Sequence, residues 1–176
     1  MSLSRKIMSL VTLTILISLT GCGFEPIYNA GTSSVFESDM REIEISPIKN
    51  RIGQQLRNEL EQRILPKGRA RFSKYILNVT LSKSKQGLAV KKSEIATRAN
   101  LHFRASYQIT RKIDGKVLTS GSSRMVSSYN ILTKPFATLM AEKDAIKRAV
   151  REISVDITSK VATFFKLNRD KLTAVK

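Results

Sequence analysis

The sequence predicts an α+β fold: a two-layer sandwich of a four-stranded mixed or antiparallel sheet with two helices packed on one face, in the order β-α-β-β-β-α. Three observations predict it. Two stretches repeat apolar residues every three or four positions, as amphipathic helices do. Others alternate apolar and polar residues, as half-buried strands do. Between two alternating stretches stands Asp114-Gly115, a pair that favours a tight hairpin.

The first strand is expected at about Ile43–Ile48, with Ile43 and Ile45 on one face. Pro47 falls near its end, where a missing N–H is tolerated at a sheet edge. Asn50 is expected to cap the first helix. There Ile52, Leu56, Leu60 and Ile64 recur every fourth residue, while Gln55, Arg57, Glu59, Glu61 and Arg63 stay polar. Pro66 and Gly68 end it. A stripe this regular is read as docked on the chain's own sheet, with a partner-binding helix as the alternative.

In the second strand Tyr75, Leu77, Val79 and Leu81 share a face, with Asn78 and Thr80 opposite. The polar, basic stretch Ser82–Lys92 is expected to join it to the third strand. That strand alternates Leu101, Phe103, Ala105, Tyr107 and Ile109 with His102, Arg104, Ser106 and Gln108. The turn Ile113–Lys116 leads to a fourth strand at about Val117–Val126. Pro135 and Phe136 open the second helix, roughly Ala137–Phe165, which spaces Ile146, Val150, Ile153, Ile157, Val161 and Phe164 three or four apart. The tail from Lys166 to Lys176 is basic and expected to fray. Each element is apolar on one side only, so two layers bury every apolar face. The outer face of the sheet then carries His102, Arg104, Gln108 and the Ser/Thr side of the fourth strand.

Upstream of this domain lies the grammar of an export signal. Arg5 and Lys6 form a basic start, and Ile7–Leu19 carries no charged side chain. As a helix that run would be about 20 Å long at ~1.5 Å per residue, short of a ~30 Å hydrocarbon core. A cleaved leader is therefore expected over residues 1–21, an acylated tether over 22–40, one domain over 41–166 and a basic tail over 167–176. The only cysteine, Cys22, follows Leu19-Thr20-Gly21. That order resembles the lipobox of bacterial lipoproteins, in which only a thiol can accept the diacylglyceryl group. Cys22 is read as a lipid anchor to the membrane, not a nucleophile. Several acyl chains hold far more firmly than a single myristoyl chain. Gly23 follows it, and the absence of an Asp there points away from inner-membrane retention, to the outer membrane.

The chain carries 31 basic and 14 acidic residues, a net charge of +17. Loss of Arg5 and Lys6 with the leader leaves 29 bases against 14 acids, or +15. Such an excess prompts a nucleic-acid partner, but an exported protein meets phospholipid headgroups, peptidoglycan and lipopolysaccharide instead. No nucleic acid is expected. A solvated Lys-rich surface is the plainer reading. Catalysis has little to use: one histidine, His102, eight scattered glycines, and no HExxH, GxSxG or phosphate-loop pattern. No catalytic residue, metal ligand or cofactor is expected, and the chain is not read as an enzyme.

Four segments together resemble the LptE family of lipopolysaccharide-assembly lipoproteins, and its alphaproteobacterial branch in particular. They are CGFEPIY (Cys22–Tyr28), IGQQLRNELEQ (Ile52–Gln62), YILNVTL (Tyr75–Leu81) and SSYNILTKPFATLMAEKDAIKRAVREI (Ser127–Ile153), the last the most specific. The resemblance implies a lipid-anchored protein on the periplasmic face of a Gram-negative outer membrane. It would plug the LptD β-barrel, assist barrel assembly and bind lipopolysaccharide. It transfers no individual lipid-binding residue. On charge grounds the expected glycolipid contacts are Lys83, Lys85, Lys91 and Lys92 between the second and third strands, with Arg98 and Arg104. Two other classes compete: an accessory lipoprotein of an ABC-type phospholipid transporter, which Gly23 disfavours, and a structural lipoprotein holding peptidoglycan, for which no motif is present.

Overall fold

The computed structural model describes residues 40–68, 70–89 and 96–173. The leader, Cys22, nearly all of the tether, Lys91, Lys92 and the last residues of the tail lie outside them. Among the described residues four strands form one sheet in the order β1-β2-β3-β4: β1 (Ile43–Ile45), β2 (Tyr75–Ala89), β3 (Ala96–Arg111) and β4 (Val117–Asn130). β1 runs parallel to β2, with Ile43 opposite Tyr75, and the other pairings are antiparallel. Helix α1 (Asn50–Ile64) makes the crossover between the parallel strands, and α2 (Pro135–Thr173) follows β4. This is the expected α+β order, with a mixed sheet.

Local chemistry accounts for the boundaries. β1 is shorter than Ile43–Ile48 because Ser46 N–H donates the last bond, to Leu77 O at 3.0 Å, before Pro47. Asn50 does not cap α1. Lys49 occupies the cap position without a side-chain bond, and Asn50 takes φ 69°, a value asparagine tolerates better than most residues. Gln54 instead donates its side-chain amide to the Ile48 carbonyl. Gly53 is needed where α1 meets that segment: a Cβ there would lie 2.6 Å from Ile48 Cγ2. The β3–β4 connection closes on Arg111 N–H to Lys116 O, with Gly115 at φ 66° and Asp114 accepting from Lys116 N–H. It is a longer loop than a two-residue turn.

The core lies between sheet and helices. Leu56, Leu60 and Ile64 of α1 and Val150, Ile153, Ile157, Val161 and Phe165 of α2 pack with Leu77, Leu101, Phe103 and Ile109. Ser154 is fully buried where the helices meet, accepting from Arg63 Nε at 2.8 Å and donating to Arg151 O at 2.7 Å. Helix, rather than irregular chain, continues past Lys166 in the described residues. Phe165 is buried edge-on to Tyr75, 5.0 Å between ring centres, and Leu172 packs partly on the core. Helical structure therefore runs to Thr173, with a break at Asn168, whose side chain donates to Phe164 O.

Strand length decides which charged residues belong to the sheet. β2 reaches Ala89 and β4 reaches Asn130, both beyond their expected ends. Ser82–Ala89 is not a connector. Its polar residues keep the strand alternation, and pairing with β3 from Ser82 opposite Arg104 onward satisfies their backbone whatever the side chains are.

Candidate functional site

Alternation along β2 and β3 decides where each expected glycolipid contact points. On β2 the odd positions Tyr75, Leu77 and Val79 face the helices, so Lys83 and Lys85 do too. On β3 the odd positions Ala99, Leu101 and Phe103 are buried, so Arg98 and Arg104 stand on the opposite, open face. The expected single cluster is therefore divided by the sheet. Lys91 and Lys92 fall outside the described residues.

The two lysines on the covered face are paired. Glu142, on the first turns of α2, accepts from Lys85 Nζ at 3.1 Å and lies 3.7 Å from Lys83 Nζ. Tyr129 of β4 donates its hydroxyl to the same carboxylate at 2.8 Å, and Lys85 Nζ sits 5.3 Å from the Tyr129 ring centre. Burial pushes the Glu142 carboxyl up, but the bonds from Tyr129 and Lys85 and the charges of Lys85 and Lys83 outweigh it and hold it below its ordinary value. Bonds to Tyr129 and then Glu142 hold the Lys85 ammonium above its own. Burial raises the Tyr129 hydroxyl. These groups bolt the upper end of the sheet to α2, and the single carboxylate offsets one of the two lysine charges.

The open face is different in kind. Strands β2, β3 and β4 contain no acidic residue at all. Arg104 stands directly opposite Arg124, and His102 opposite Val126. Ser82, Ser84, His102, Arg104, Arg124 and Val126 border a shallow depression of about 350 Å³. His102 bonds through its ring to Gln86, and Ser128 donates to Asn100. Two like charges in register repel by a few tenths of a kcal/mol or more, so nothing in the fold itself favours that pair. The arrangement is a cationic patch on a hydroxyl-rich floor, suited to an anion whose oxygens take several N–H and O–H donors at once.

His102, Arg104 and Gln108 stand on the face that the alternation of β3 predicts, and Arg98 joins them there. Arg124 is the site residue that sequence reasoning missed. The Ser120, Ser122, Val126, Ser128 alternation of β4 was the available signal, since it puts Arg124 on the same side. Glu142 and Tyr129 had no such signal, because their meeting with Lys85 joins three separate elements. The free edge of β4 is guarded from α2: Lys160 Nζ donates to Ser122 O at 2.9 Å and is held by Asp156 at 2.7 Å. Burial raises the Asp156 carboxyl, but its bonds to Lys160 and Ser123 leave it below its ordinary value. Arg148, paired with Asp144, reaches Ser128 O. Cations over an edge discourage indiscriminate strand addition.

Fold and surface define a small two-layer α+β module of a kind found in bacterial lipoproteins. Its architecture is similar to that of a lipoprotein from Caulobacter crescentus, with TM-score 0.62 and 21% identity over 76% of this chain and 97% of that one. A minor lipoprotein from Acinetobacter baumannii is similar with TM-score 0.57 and 16% identity, covering 69% and 90% of the two chains. The rare lipoprotein B of Shewanella oneidensis gives 0.55 and 11%, covering 73% and 98%. At these identities the likeness is one of fold. No curated protein matches the chain. The family model LptE, described as lipopolysaccharide-assembly, matches residues 40–161, and the chain belongs to the LptE family.

Proposed function

We propose that this LptE-family chain is a lipid-anchored outer-membrane assembly factor that plugs an LptD-like β-barrel, assists barrel assembly and binds lipopolysaccharide for insertion into the outer leaflet. It acts without catalysis. Residues 1–21 are removed on export, Cys22 is acylated, and residues 22–40 tether the domain to the periplasmic face. The observation that carries this reading is the open face of β2, β3 and β4, a surface of hydroxyls, amides and arginines to which those three strands contribute no acid; Glu44 of β1, at the sheet's edge, is paired with Lys112. Barrel lumens are polar, and such a face can lie against polar walls without burying an unpaired carboxylate. Its arginines suit the phosphates of a glycolipid. Within that surface Arg98, Arg104 and Arg124 replace Lys83 and Lys85 as the favoured contacts, because the lysines already share Glu142.

A photocrosslinker at Gln108, at the lower part of the open face, tests the partner. It should capture a large outer-membrane barrel in cells. Capture of inner-membrane transport subunits instead would favour the phospholipid-transport reading. Cys22→Ala should leave the domain folded but release it from membranes in cells lacking the barrel. Retention after carbonate washing would mean that acylation is not the anchor.

A further inference from the structure

One end of the domain sets exposed apolar side chains among cations, and neither face of the sheet accounts for it. It is the lower end, where β2 begins and β3 turns into β4. Tyr75 stands opposite Arg111 there, and Phe165 of α2 lies edge-on to Tyr75. Phe72, in the loop between α1 and β2, is 77% exposed, and Ile113, in the loop between β3 and β4, is 89% exposed. The two loops are fastened to each other. Lys112 N–H donates to Lys74 O at 2.8 Å, and Lys112 Nζ donates to Ser73 Oγ at 2.8 Å. Ser73 follows Phe72 and Lys112 precedes Ile113, so the two apolar residues belong to one patch. Leu167, 76% exposed, follows Phe165 by two residues at the same end of the helical layer.

The charge around these tips has one sign. Residues 65–74, LPKGRARFSK, hold four bases and no acid. The Arg71 guanidinium lies 5.7 Å from the Phe72 ring centre, and Lys116 closes the turn that carries Ile113. The acids that border the patch are engaged: Glu42 by Lys74 at 2.9 Å, Glu44 by Lys112 at 2.6 Å and Asp114 by Arg111 at 3.3 Å. The side chains of Arg71 and Lys116, both exposed, pair with no carboxylate among the described residues. Apolar tips flanked by Lys and Arg suit a membrane interface, where the tips enter the headgroup layer and the cations stay at the level of the phosphates. The core of a protein–protein interface, by contrast, is depleted in lysine. Phe136, 74% exposed, stands at the other end, where β4 passes into α2. Chain entry separates the two ends. The described chain begins at Met40, and Arg41 O accepts from Ala70 N–H at 2.9 Å, so the side of the chain that carries Cys22 joins the domain at the lower end.

We propose that the lower end of the domain docks on a phospholipid surface, with Phe72 and Ile113 in the headgroup layer and Arg71 and Lys116 against lipid phosphates. The proposal rests on the reading of the chain as anchored to a membrane at Cys22. An acyl anchor limits how far the domain can stray from the bilayer, and a second contact sets which way it faces. Docked by this end, the strands stand steeply on the leaflet. The Arg104–Arg124 patch is then held clear of lipid, and the open sheet face is presented sideways to a barrel wall in the same bilayer.

The chain contains no tryptophan, so a single substitution reports its own surroundings. Full-length Phe72→Trp, Ile113→Trp and Phe136→Trp chains, purified from membranes, are reconstituted into vesicles of phosphatidylethanolamine and phosphatidylglycerol. With acyl-brominated lipids the first two should lose most of their emission, and Phe136→Trp should lose little. Adding Arg71→Glu and Lys116→Glu to the Ile113→Trp chain should restore its emission, as should high salt. Emission at positions 72 and 113 indifferent to bromine would overturn the docking end, whatever Cys22 carries. So would equal quenching at position 136, which would mean that the domain has no preferred end. Quenching unchanged by the two charge reversals would overturn the phosphate contacts. Mass spectrometry of the same samples reads the acyl chains on Cys22 directly, so failure of the anchor and failure of the docking end are told apart.

Discussion

The two faces of one sheet use basic residues to opposite ends. On the covered face Lys83 and Lys85 share the Glu142 carboxylate, to which Tyr129 also donates, so both lysines are engaged in holding α2 to the strands. On the open face Arg104 and Arg124 stand in register with no acid on any of the three long strands. Basic residues on a sheet therefore say little about binding until their parity is known. One position along a strand separates a structural bolt from a cation open to a ligand.

The contrast can be broken most severely in the apolar part of the covered face. Leu101→Ala, at a fully buried position, should cost about 2–5 kcal/mol in chemical denaturation. Val126→Ala, half exposed on the open face beside His102, should change stability by less than about 0.5 kcal/mol. A comparable loss at both would mean the open face is packed in the free protein.

A middle-sized effect is expected at the bolt. Glu142→Gln should lower stability by about 1 kcal/mol near neutral pH, as expected for a partly exposed network. Its pH dependence identifies the cause. The Glu142 carboxyl lies below its ordinary 4.5 when folded, so its contribution is fully present above that value and is lost as pH falls through the lowered folded value. The wild type should lose stability on acidification that the variant never had. Lys85, raised above 10.5, gives the opposite limb: its contribution is full below that value and fades as pH rises through the raised folded value. Superimposable acid limbs for wild type and Glu142→Gln would remove the network from the account.

The smallest effect on folding should come with a clear effect on binding. Arg104→Ser relieves the like-charge pair with Arg124 and should raise stability by a few tenths of a kcal/mol. Lipopolysaccharide retention by the same variant should fall, while Lys83→Ser should leave it unchanged. Equal retention by wild type and Arg104→Ser would move the glycolipid away from the open face.

Much of the fold is legible in the order of residues. The Leu56, Leu60, Ile64 stripe and the Leu101–Ile109 alternation locate the helix, the strand and their buried sides correctly, because apolar burial imposes its period directly on the chain. The misjudged segments are those where polarity stands in for irregularity. Ser82–Ala89 looks like a connector, yet backbone pairing with β3 makes it strand. Lys166 onward looks like a tail, yet Phe165 and Leu172 keep it helical against the core.

The sequence by itself determined the element order, the apolar side of each element, the absence of acids from β2, β3 and β4, and the basic character of residues 65–74. Each is a property of residues close together in the chain. Tertiary structure alone decided that Lys85, Tyr129 and Glu142 meet, that Arg124 faces Arg104, and that Lys112 fastens the loop of Ile113 to the loop of Phe72. Those contacts join elements far apart in sequence, and a Coulombic or hydrogen-bonding interaction depends on distances that no local pattern encodes.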